Sequence, residues 1–190
     1  MILSKSTFSF LILFFSSLVL FSSCTDDEDP EIPNEEELIT TLTYTLVPEG
    51  GGSNVVLSFQ DLDGDGGTAP VISGGTLMAN TVYNGSIDLL NEAETPAESI
   101  TAEIEEEDDE HQFFFATTGG LNATVAYADT DGTNPVGLKT TVTTTDASQG
   151  KLRVTLRHEP AKDAAGVSDG DITNAGGETD IEVEFDVTIE

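Results

Sequence analysis

The sequence predicts an antiparallel β-sandwich of the immunoglobulin or fibronectin type, mainly β, with one short acidic helix. Three observations lead there. Apolar and polar residues alternate with period two along most of the chain. The alternating runs are separated by Gly-, Asp- and Asn-rich turns. They number about eight, short and without the strand–helix–strand rhythm of an α/β fold.

The elements follow in order. Leu38, Thr40, Leu42, Tyr44 and Leu46 share one face, with threonines mostly on the other, and Val55, Leu57 and Phe59 repeat the pattern. Further strands are expected over 83–90, 111–117, 123–128 and 138–145. Over 151–158, Leu152, Val154 and Leu156 point one way while Lys151, Arg153 and Arg157 point the other. In the last run Ile181, Val183, Phe185, Val187 and Ile189 alternate with Asp180, Glu182, Glu184 and Asp186, which places those four acids on the solvent face. Opposite charge puts 151–158 beside 180–189; a basic docking stripe is the rival reading.

The single helix is expected from Thr95-Pro96-Ala97-Glu98, a capping-box pattern with proline at the first helical position. Ala97, Ile100 and Ile104 then supply a buried stripe, and the acids at 105–110 sit at its C-terminus against the macrodipole. They either fray into solvent or keep cation company. Leu77-Met78-Ala79-Asn80-Thr81-Val82-Tyr83 resembles the corner segment of fibronectin-type sandwiches, in which a tyrosine hydroxyl ties down a turn.

At the N-terminus, one lysine precedes an apolar run over 8–21, and Ser22-Ser23 leads into Cys24, the chain's only cysteine. This is the layout of a secretory signal, and the run is shorter than the roughly twenty apolar residues that span a bilayer. Leu20-Phe21-Ser22-Ser23-Cys24 resembles a bacterial lipobox, which makes Cys24 the expected lipidation site and membrane anchor. Domain organisation follows: signal peptide 1–23, acidic disordered tether 24–37, and a β-sandwich domain 38–190. The tether begins Thr25-Asp26-Asp27-Glu28-Asp29, resembling the surface-export signal of lipoproteins in Bacteroidota.

Composition limits the partners. The chain carries 36 acids against six lysines and arginines, a formal charge of −30. Nucleic acid and anionic lipid are repelled, and cations are attracted. A lone cysteine excludes an intrachain disulfide.

Two sets of residues point to metal chemistry. Asp61-Leu62-Asp63-Gly64-Asp65-Gly66 places carboxylates two apart with glycine sixth, as in the first half of an EF-hand loop. Ile72 stands where the bidentate glutamate belongs, so Asp61, Asp63 and Asp65 are calcium candidates of another loop type, or a solvated turn. Asp129-Thr130-Asp131-Gly132 is a weaker echo. The two histidines, His111 and His158, each fall at a strand end beside an acid, Glu110 and Glu159 respectively. If those strand ends are adjacent, the pair plus a carboxylate suits zinc or a related metal. No nucleophile elbow, His-Glu-x-x-His motif or phosphate loop is present, so the chain is read as a non-enzyme.

Cys24 with its acid run, 40–49, 59–67, 77–92, 105–115, Arg157-His158-Glu159-Pro160 and 176–185 together resemble a group of short Bacteroidota surface lipoproteins. That group bears the name "type 1 periplasmic binding fold superfamily protein". The name implies two α/β lobes, whereas the residues here predict a mainly β chain with one short helix. What the resemblance implies for this chain is its location. The resulting expectation is a lipid-anchored outer-membrane or cell-surface lipoprotein. It would act as a non-enzymatic binding module, linked to calcium or another divalent cation and accessory to an outer-membrane nutrient receptor. The alternatives are a structural or adhesive surface module and, third, a carbohydrate-active enzyme.

Overall fold

The computed structural model describes residues 37–64 and 66–190. Cys24 and Asp65 therefore lie outside the described residues. The strands are β1 (Thr41–Pro48), β2 (Val55–Gln60), β3 (Val71–Ser73), β4 (Gly75–Leu77), β5 (Val82–Asn91), β6 (Glu98–Ser99), β7 (His111–Thr118), β8 (Ala123–Tyr127), β9 (Lys139–Thr144), β10 (Ser148–His158) and β11 (Glu178–Ile189), with one helix, α1 (Ile100–Glu106), between β6 and β7. One sheet runs β3-β2-β1-β5-β9-β8, with β6 added on β5; the other runs β4-β11-β10-β7. All pairings are antiparallel except β4 with β11. The fold is the expected two-sheet, mainly β architecture.

Alternation is what closes it. Leu42, Tyr44 and Leu46 of β1 and Ile87 and Leu89 of β5 face Val154, Leu156, Val183 and Phe185 of the other sheet in one continuous core. Each such side chain, fully buried, stabilises the fold by about 1.5–3 kcal/mol. Gly85 is required inside this core. A Cβ there would lie 2.3 Å from Thr140 Oγ1 and 2.8 Å from a Tyr44 ring carbon, where the Tyr44 hydroxyl and Thr140 share a 2.6 Å hydrogen bond.

The charged pairing of β10 with β11 is present: Lys151 faces Asp186 and Arg153 faces Glu184, with N–O distances of 2.9 and 2.8 Å. The tyrosine corner is present too, since Met78 N–H donates to the Tyr83 hydroxyl at 2.7 Å.

Three expectations change. The helix is not capped at Thr95. Glu98 and Ser99 continue the ladder against Asn91 and Leu90, and the Ser99 hydroxyl accepts from Ala102 N–H to start α1. Ile100 and Ile104 are buried as expected, but Ala97 precedes the helix and is exposed. The first strand starts at Thr41 rather than Leu38; residues 37–40 form a lead-in on which Leu38 is exposed. Finally, the β10–β11 register slips between Leu156 and Arg157: Leu156 pairs with Ile181 but Arg157 with Thr179. Asp180 is thus the extra residue of a β-bulge, and a bulge re-aims the side chain it carries.

Candidate metal centre

At one end of the sandwich β10 finishes, β7 and β11 begin, and the lead-in to β1 passes. His111 and His158 are direct partners across the β7–β10 ladder. Their rings stack with centroids 4.7 Å apart. The adjacency on which the zinc reading depended is therefore present.

The carboxylates that meet them are not the sequence neighbours. His111 Nε2 lies 3.3 Å from Glu37 Oε1 and 3.9 Å from Asp180 Oδ2. His158 Nδ1 lies 3.9 Å from Glu37 Oε2 and 3.8 Å from Asp180 Oδ1. One donor atom from each of the four residues falls within 4.8 Å of the others. Side-chain exposure is 0% for His111 and Asp180, 6% for Glu37 and 7% for His158. A tetrahedral zinc with N and O ligands near 2.0–2.1 Å needs donors about 3.3 Å apart. Here the nitrogen–carboxylate distances run from 3.3 to 3.9 Å, and the four donors lie within 4.8 Å of one another.

Local structure sets the donors. The turn after α1 brings the Glu107 carbonyl 3.1 Å from His111 Nδ1. A carbonyl only accepts, so Nδ1 carries a proton and Nε2 is the nitrogen turned toward the carboxylates, the outer-shell arrangement found around histidine metal ligands. His111 Nε2 and Glu37 Oε2 are buried and make no hydrogen bond. Two carboxylates within 4.8 Å repel by about 3.5 kcal/mol at an effective dielectric of ~20. A divalent cation between them reverses that sign.

The acids named from sequence lie outside this set. Glu110 Oε2 stands 3.9 Å from His158 Nε2, on the opposite side of the ring. Glu110, Glu159 and His158 form a second, more exposed grouping. Glu159 adopts φ 48°, and its N–H donates to the Glu110 carbonyl at 2.7 Å. Gly177 covers this corner with φ +67°, where a Cβ would meet the His158 carbonyl at 2.1 Å.

Sequence reasoning missed Glu37 and Asp180. Glu37 was assigned to the tether, yet its side chain is built into the body. Asp180 was placed on the solvent face, and the bulge turns it inward. Neither has a local sequence signal.

The aspartate loop is arranged differently. Asp61 accepts from Gly64 N–H at 2.9 Å and Asp63 from Thr68 N–H at 2.9 Å. The Thr68 bond above all holds the Asp63 carboxyl below its ordinary range. At the weaker echo, Asp129 accepts from Gly137 and Lys139 N–H, and Asp131 meets the Lys162 ammonium at 2.9 Å. Those carboxylates are engaged by the protein's own donors.

Among the described residues, no helix is long and apolar enough to cross a membrane. No protein-family model matches the chain. No curated protein sequence matches it either. Among solved structures, domains 4 and 5 of the S-layer protein SbsC are similar, at 11% identity over 77% of this chain and 75% of that one, with a TM-score of 0.28.

Proposed function

We propose that this chain is a lipid-anchored cell-surface module that binds rather than reacts, and that its sandwich holds one divalent transition ion, zinc by donor set. The observation that carries the reading is the convergence of His111 Nε2, His158 Nδ1, Glu37 and Asp180 at one buried point. Two imidazoles and two carboxylates suit zinc better than calcium, which takes six to eight oxygens. Four protein ligands with almost no solvent access make a closed site of the kind that holds structure together, rather than one that keeps a position for substrate. Attachment through an acylated Cys24 rests on the leader and lipobox.

The test is calorimetry of the full chain in detergent, after chelation, with zinc and calcium in parallel. One equivalent of zinc is expected to bind, and His111→Gln to lose it. Absence of zinc binding, or undiminished binding by His111→Gln, refutes the assignment and leaves the structural surface module ahead. Mass spectrometry of the membrane fraction tests the anchor: a free Cys24 thiol, or a polypeptide starting at Met1, overturns it.

A further inference from the structure

Lys151, Arg153 and Arg157 stand along β10, and the ladder to β11 treats them differently. Lys151 meets Asp186 and Arg153 meets Glu184. An unbroken register would set Asp180 opposite Arg157. The bulge gives Arg157 Thr179 instead and sends Asp180 to the histidines. Among the described residues, Arg157 takes part in no ion pair. Its Nη1 donates to the Gly177 carbonyl at 3.3 Å, and its Nε is buried without a hydrogen bond. In a chain with 36 acids, the slip leaves a half-buried guanidinium without a carboxylate.

This guanidinium borders a cavity of about 460 Å³ on the outer face of the same sheet. Buried Phe114 and exposed Ala116 of β7 line it, together with Ile172, which packs on Phe114 from the loop before β11. The other charges on the wall are engaged. Arg153 pairs with Glu184, Glu182 accepts from the Thr155 hydroxyl and lies beside Arg153, and Asp171 accepts from Thr173 N–H.

We propose that the cavity binds a small carboxylate carried on a compact apolar body, with Arg157 as its anchor. The volume falls in the range of small-molecule sites, about 300–1,000 Å³. A planar guanidinium fork matches a carboxylate, and the charge-assisted bonds it makes are about twice as strong as neutral ones. A cationic ligand gains nothing from Arg157, and a purely polar anion leaves Phe114 and Ile172 uncovered. The formal charge of −30 repels anions at a distance. That repulsion is screened over about 10 Å at ordinary salt, whereas the Arg157 contact is made at hydrogen-bond range. On the wall itself Arg153 and Arg157 balance Asp171 and Glu182, so the acid excess of the chain is not repeated there. The proposal does not rest on the metal ion, because none of Glu37, His111, His158 and Asp180 lines this cavity.

Three probes separate the contributions: phenylacetate, with charge and apolar body; phenylacetamide, with the body alone; and acetate, with the charge alone. Each is titrated by NMR into the full chain. Phenylacetate is expected to bind about tenfold or more tightly than either of the others. Arg157→Gln removes the charge and is expected to lose about tenfold in affinity. Arg157→Lys keeps the charge without the fork and should lose less. Ala116→Trp fills the cavity from an exposed strand position and should abolish binding. Far-ultraviolet circular dichroism and zinc titration of Ala116→Trp should match wild type, which separates failure here from misfolding and from failure at the metal centre. Equal binding of the amide, no binding of any probe at about 10 mM, or unchanged affinity in either Arg157→Gln or Ala116→Trp overturns the proposal.

Discussion

Replacing Glu37 by glutamine removes one charge while keeping size, and it separates a metal centre from a cluster of imidazolium–carboxylate pairs. With zinc at 100 times its dissociation constant, mass action adds about 2.7 kcal/mol to the folded state. A domain of this size moves by about 2–4 °C per kcal/mol, so the wild-type melting temperature should rise by about 5–11 °C over the chelated protein. Glutamine at 37 leaves three donors. If affinity falls a hundredfold, the same zinc concentration contributes only about 0.4 kcal/mol, roughly 1–2 °C. The chelated proteins compare the other way. Glu37 and Asp180 sit within 4.8 Å, a repulsion of about 3.5 kcal/mol at an effective dielectric of ~20. Neutralising one of them should leave metal-free Glu37→Gln at least as stable as wild type. Circular-dichroism melts with chelator and with zinc give all four values. A wild type that zinc does not move refutes the metal reading. So does a chelated Glu37→Gln that melts several degrees lower, since Glu37 would then be pairing with protonated imidazoles.

Other consequences are direct. Tyr83→Phe deletes the acceptor of Met78 N–H and should cost about 1–2 kcal/mol in urea unfolding with the slope unchanged. Ser99→Ala should cost about 0.5–1 kcal/mol and Thr95→Ala almost nothing, because Ser99 is the residue that caps α1; the reverse order in the same assay would restore the capping box read from sequence. Gly177→Ala forces a side chain into a left-handed conformation and against the His158 carbonyl, so at least 1–2 kcal/mol of stability should go, and zinc affinity with it in calorimetry. Burial works to raise the Asp131 carboxyl, but the Asn134 amide, the Lys162 ammonium and the Thr133 amide together hold it below its ordinary range. A depressed folded-state value contributes stability above the ordinary value of about 3.9 and loses it as pH falls through the lower one. Urea melts between pH 5 and pH 2.5 should therefore show wild type losing more stability than Asp131→Asn.

The strands were legible because each reports itself locally. Ile181, Val183 and Phe185 alternate with acids whether or not a partner is known, and the same holds for Leu152, Val154 and Leu156. The short strands β3, β4 and β6 were not legible, since two or three residues carry no period and exist only because a neighbouring edge offers hydrogen bonds. The helix was found by its isoleucines and misplaced at its start. Thr95 and Ser99 are both competent caps, and the choice between them was made by the ladder to β5, a tertiary fact.

The metal centre divides along the same line. Histidine is scarce here, two residues in 190, so His111 and His158 draw attention by type alone, and their strand-end positions suggested a meeting. Carboxylates are abundant, 36 in the same chain, so type says nothing about which of them matter. What marks Glu37 and Asp180 is burial beside both histidines, and both burials are non-local. Asp180 turns inward because the slip between Leu156 and Arg157 inserts one extra residue into β11, and period-two reasoning reverses the facing of any residue at such a slip. Glu37 turns inward because the chain leading to Thr41 passes the end of the opposite sheet. A strongly acidic chain resists burying two carboxylates side by side, since water solvates them at no cost on the surface. Their placement against both histidines, with the Glu107 carbonyl orienting one ring, is the arrangement that a bound dication stabilises and that hydrophobic collapse alone opposes.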